Sequence, residues 1–150
     1  MYENYSDLPV VHPPLKHQAE EWPHRDDFVR GLLWDPGTGK SKAFIDKMVY
    51  LYLTGKIDCA IIMAKKGEYT NWKYVELPEH MPPEVPYVCE VYRSGLNSEG
   101  KQKLRDLVKP SDKLRILNIH AESMTHEGGK VALAFASSRR KQMSFGLDES

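Results

Sequence analysis

The chain has 150 residues, 41% hydrophobic and 28% charged, with 21 basic and 21 acidic side chains that give a formal net charge of +0. That length supports one ordinary globular domain with a buried core and is too short for two. Neutrality excludes a global field that would draw the whole molecule to nucleic acid or an anionic membrane, so any such contact has to come from a local basic patch.

Residues 1–14 mix acidic, aromatic and proline positions without periodicity and read as an N-terminal arm. The start, Met1-Tyr2-Glu3-Asn4, lacks the basic then apolar order of a secretory signal. Residues 15–22 predict a short helix with Leu15, Ala19 and Trp22 on one face, stopped by Pro23. Residues 28–34 predict the first strand, which runs into Asp35-Pro36-Gly37-Thr38-Gly39-Lys40-Ser41. Residues 41–54 predict a helix with an apolar stripe of Phe44, Met48 and Leu51, closed by Gly55.

The continuous apolar run at 58–64 is that of a parallel strand covered on both faces. Strands follow at 87–92, 114–119 and 143–147, with helices at 101–108 and 130–137, the latter entered after a break at Gly128-Gly129. Cys59 and Cys89 each sit in an apolar run and read as buried free thiols of a reducing compartment. Strands alternating with helices imply a doubly wound α/β domain, a mostly parallel sheet with helices on both faces and ligands at the carboxyl ends of the strands. No stretch approaches a membrane span, and an intracellular, cytoplasmic location is expected.

Chemistry concentrates at two places. A phosphate chain needs several backbone N–H groups aimed at one point, and Gly37, Thr38 and Gly39 before a helix supply a loop that can curl around it. Lys40 brings the point charge expected near the β- and γ-phosphates, and Ser41 the hydroxyl expected on Mg²⁺. Trp34 stands where the full phosphate-loop pattern has its first glycine. The second place is Asp148-Glu149 after the apolar run Phe145-Gly146-Leu147. A carboxylate leaving a strand beside a phosphate loop can hold Mg²⁺, and the next can orient and deprotonate the attacking water. ATP and Mg²⁺ are the expected cofactors, with Lys40, Asp148 and Glu149 in the catalytic roles.

Lys65 and Lys66 follow a buried strand and either reach nucleic-acid phosphates or form a solvated loop. Trp72 is expected to anchor a helix in the core in preference to stacking on a base. Arg139-Arg140-Lys141 reads as a solvated loop before contact with nucleic acid is considered. The histidines at 12, 17, 24, 80, 120 and 126 show no paired ligand spacing on one helix, so the sequence does not point to a structural zinc site.

Together these elements resemble the first RecA-like domain of superfamily 2 helicases, closest to the Swi/Snf-type translocase branch and its phage relatives. Leu15-Lys16-His17-Gln18 is similar to the upstream element whose glutamine recognises adenine, which implies that Gln18 contacts the base. The loop through Ser41 matches motif I, and Ile61-Ile62-Met63-Ala64-Lys65-Lys66 with Asn71-Trp72 is similar to motif Ia and its following helix. Residues 114–123 resemble motif Ib, and Asp148-Glu149-Ser150 motif II.

The resemblance implies a RecA-like P-loop NTPase domain over residues 15–150, with an N-terminal arm at 1–14, and nucleic acid, expected to be double-stranded DNA, as partner. It also implies a second RecA-like domain whose arginines complete the ATP site. On that basis the chain is expected to be incomplete after motif II, the front part of a longer protein or a truncated product, and to hydrolyse ATP barely alone. It leaves two rivals. One is an AAA+ type ATPase, favoured by Pro36 to Ser41 and disfavoured by the roughly 110 residues between Lys40 and Asp148. The other is a non-catalytic module that binds nucleotide or nucleic acid.

Overall fold

The computed structural model describes residues 2–14, 16–20, 22–24, 40–65, 69–109, 111–125 and 127–148. Four parallel strands, β1 (Ile57–Ala64), β2 (Tyr87–Tyr92), β3 (Leu114–His120) and β4 (Gln142–Asp148), form one sheet in the order β2-β3-β1-β4. The helices are α1 (Lys16–Ala19), α2 (Lys40–Leu53), α3 (Tyr69–Asn71), α4 (Leu77–His80), α5 (Ser98–Leu107) and α6 (Glu127–Ser137). The α/β class and the parallel sheet agree with the alternation of strand and helix patterns; the strand expected at 28–34 lies outside the described residues. Among the described residues no helix is long and apolar enough to cross a membrane.

The period of two along each strand divides the core into two layers. Ala60, Ile62, Ala64, Cys89, Leu114 and Ile116 face one side, where Phe44, Ile45, Met48 and Leu51 of α2 pack with Trp72 and Leu77. Cys59, Ile61, Tyr92, Leu117 and Ile119 face the other side, against Leu107 at the end of α5 and Ala132 and Phe135 of α6. Trp72 is therefore a core residue, its ring edge-on to Phe44 at 5.9 Å. The crossover from β1 to β2 passes over the first face and those through α5 and α6 over the second. The chain thus moves along the sheet in one direction over the first face and in the other over the second, as right-handed connections require.

Several local expectations change. Among the described residues the helix expected over 15–22 is the four residues of α1, and Trp22–His24 form a 3-10 turn that contains Pro23. Proline is tolerated there because the first turn has no intrahelical use for its missing N–H. Trp22 is drawn away from a continuous helix by stacking on Tyr5 at 4.7 Å and by donating its indole N–H to the Glu3 carbonyl at 2.8 Å. The residues read as an arm are docked, with Tyr5 and Leu8 buried in the fold.

Gly128 and Gly129 do not break the chain but lie in the first turn of α6. A Cβ at 128 would stand 2.5 Å from the Ser123 carbonyl oxygen, and one at 129 would stand 2.3 Å from that of Met124. These glycines let the helix start directly against the turn before it. Helix α5 begins at Ser98, earlier than its apolar pattern, because the Asn97 side chain accepts the Gly100 N–H at 2.9 Å. Gly55 does end α2, at φ +75°, in the left-handed region where glycine is favoured.

Candidate functional site

Because the strands are parallel, Ala64, Tyr92, His120 and Asp148 mark one end of the sheet, and in register His120 and Asp148 flank Ala64 on either side. Helix α2 reaches β1 through the short turn Thr54-Gly55-Lys56, so it runs antiparallel to the strand it packs on. Its fourteen residues rise roughly 21 Å, which carries the first turn, Lys40 and Ser41, back to the carboxyl end of the sheet. A second observation fixes the same arrangement. A Cβ on Gly146 would lie 2.4 Å from Cζ of Phe44, so the ring one turn into α2 covers the β4 backbone two residues before Asp148.

The residues singled out in the sequence distribute as follows. The backbone of Lys40 opens α2, with Ser41 half-buried beside it, and the backbone of Asp148 closes β4. Gln18 is 2% exposed on α1, and Lys65 is exposed directly after β1. Gly37, Thr38, Gly39, Lys66 and Glu149 lie outside the described residues, as do the side chains of Lys40 and Asp148. Arg139, Arg140 and Lys141 belong to the opposite, amino end of the sheet, where the Arg140 and Lys141 backbone N–H groups donate to the Asp58 carboxylate at 2.8 and 3.3 Å.

Behind the first turn of α2 lies a polar cluster that sequence reasoning missed. Asp46 Oδ2 accepts from Lys42 Nζ and from the Tyr5 hydroxyl, all three residues being buried. The i, i+4 spacing of Lys42 and Asp46 was a readable signal of pairing; nothing in the arm signalled that Tyr5 would complete it. Burial pushes the Asp46 carboxyl above the ordinary carboxylate range against the lowering effect of its two hydrogen-bond donors. Burial and the neighbouring Asp46 also raise the Tyr5 phenol. The cluster holds the arm on α2 and fixes the face of that helix.

A helix N-terminus beside the carboxyl ends of parallel strands is an arrangement that accepts an anion and presents carboxylates to a cation it carries. The chain matches no protein-family model and no curated protein.

Proposed function

We propose that this chain is the ATP-binding portion of a superfamily 2 DNA helicase or translocase, a RecA-like P-loop domain that couples ATP hydrolysis to movement on nucleic acid together with a second RecA-like domain. The observation that carries the reading is the shared sheet end of the α2 first turn and the β4 terminus, held by Phe44 on Gly146. Lysine and serine at the start of that helix and a carboxylate at the end of that strand are the chemistry Mg-ATP requires.

In this reading the backbone N–H groups of Gly37, Thr38 and Gly39 wrap the phosphates and Lys40 neutralises the β- and γ-oxygens. Ser41 and Asp148 hold Mg²⁺, Glu149 orients and deprotonates the attacking water, and Gln18 recognises the base. Lys65, exposed at the same sheet end, and Lys66 contact the nucleic-acid backbone, a positioning contact that carries no sequence information.

Titration of Mg-ATP tests the reading directly. The expected result is saturable binding that Lys40→Ala reduces at least about tenfold and that loses its Mg²⁺ dependence in Asp148→Ala. Absence of binding up to millimolar nucleotide, or binding unchanged in Lys40→Ala, overturns it.

A further inference from the structure

The segment between β1 and β2 holds a second constellation, remote in sequence from the phosphate loop. Pro78 has no N–H to continue an ordinary helical ladder, and the turn before it widens: Trp72–Glu76 is π-helical, with the Leu77 N–H donating to the Trp72 carbonyl. Glu76, Glu79 and His80 then share one face at i, i+3 and i+4. His80 Nε2 is 3.6 Å from Glu76 Oε2 and 3.9 Å from Glu79 Oε2, and the candidate donor atoms of the three residues all lie within 4.8 Å of one another.

A fourth group comes from the docked arm. The His12 ring lies edge-on to that of His80, with centroids 5.4 Å apart and planes at 79°. Metal–donor bonds of about 2.0–2.2 Å in a tetrahedral zinc site put neighbouring donors roughly 3.3–3.6 Å apart and the centroids of two bound imidazoles roughly 5 Å apart. The two His80–carboxylate distances and the ring spacing lie within a few tenths of an ångström of these values, and exposed His12 brings a ring nitrogen to the ion by rotation of its side chain. Lys42, the cation that faces His80 from α2, is paired with Asp46, so its charge is compensated where a bound cation would sit.

We propose that His12, Glu76, Glu79 and His80 form a binding site for a first-row divalent transition cation, with Zn²⁺ as the best match. Two imidazoles with two carboxylates select such an ion over Mg²⁺, which takes oxygen donors in octahedral geometry. Four protein donors leave no open position, so the ion is structural: it staples the N-terminal arm to α4 across 68 positions of sequence.

The test is titration of Zn²⁺ alone into the untagged, metal-free chain in excess Mg²⁺ by calorimetry, with Co²⁺ absorption as a second readout. One equivalent binding at micromolar concentration or tighter, with the intense visible bands of tetrahedral Co²⁺, is expected. Outer-shell partners of a metal are themselves worth about 10–100-fold in affinity, so His12→Ala and His80→Ala should each weaken binding at least about tenfold. His12 is exposed, so its substitution leaves the core intact, and Zn²⁺ should raise the urea midpoint of the parent chain but not of His12→Ala. Binding no tighter than millimolar, octahedral Co²⁺ spectra, or parental affinity in either variant overturns the site.

Discussion

The ring of Phe44 fills the space that a side chain at Gly146 would need, with three ring carbons between 2.4 and 2.8 Å from the position of a Cβ. This pair sets how closely α2 approaches β4, and through it how near the first turn of the helix comes to Asp148. Phe44 cannot retreat freely because Trp72 packs edge-on behind it. Gly146→Ala is therefore expected to destabilise the fold by about 1–3 kcal/mol, the usual cost of overpacking a filled core. The same substitution in a Phe44→Leu background should cost less, because the obstructing ring is gone. Urea unfolding of the four chains measures the coupling, and equal costs of Gly146→Ala in both backgrounds would refute the assignment.

Arg115 performs the corresponding task at the amino end of the sheet. Its buried guanidinium donates to the Leu107 carbonyl at 3.1 Å and the Ser138 hydroxyl at 2.8 Å, and it pairs with Asp58 at 3.4 Å. One side chain thereby joins the end of α5, the turn after α6 and the start of β1. Arg115→Ala strands buried carbonyls and is expected to cost about 3 kcal/mol or more in denaturant unfolding. Wherever the variant remains folded, its affinity for Mg-ATP should be that of the parent, because the network stands at the other end of the strands.

Elements whose period belonged to the segment itself were legible: the apolar run of β1, the stripe of α2 and the left-handed stop at Gly55 all appear close to their expected bounds. What was not legible depended on partners distant in sequence. Tyr5 gains its place from Asp46 of α2 and Leu8 from the core on that side of the sheet, and neither has local periodicity to announce it. Gly128 and Gly129 read as a break because glycine marks both turns and close approaches, and only the carbonyls of Ser123 and Met124 decide between them. At the sheet end, Lys40, Ser41 and Asp148 were singled out in the sequence, while the Phe44–Gly146 contact that relates their elements had no sequence signal.

The two thiols give a prediction of reactivity. Cys59 and Cys89 are buried on opposite faces of the sheet, and burial is the main force that pushes each thiol up to about 12. Thiolate is the reactive form, so both should resist modification in the folded chain at neutral pH and react only as fast as it opens. Stopped reaction with a thiol reagent in buffer, followed by two equivalents of reaction in denaturant, is the expected record. Rapid modification of either cysteine in buffer would contradict the packing.

Asp46 gives the chain a pH dependence of unusual sign. Its carboxyl is raised in the fold, chiefly by burial, above its unfolded value of about 3.9. Between the two values the folded state holds the extra proton, so this group favours folding most at low pH, and that advantage is lost as pH rises through the raised value. Carboxylates with lowered values, such as exposed Asp106 beside Lys109, act in the opposite direction and obscure the effect in the parent chain alone. The quantity to measure is the difference in unfolding free energy between the parent and Asp46→Asn across the acidic range, in which the contributions of all other groups cancel. Asparagine does not titrate, so the parent should lose stability relative to the variant as pH increases from the ordinary carboxylate range toward neutrality. A difference that stays constant, or grows in the parent's favour, would mean that Lys42 and Tyr5 together outweigh the burial of this carboxylate.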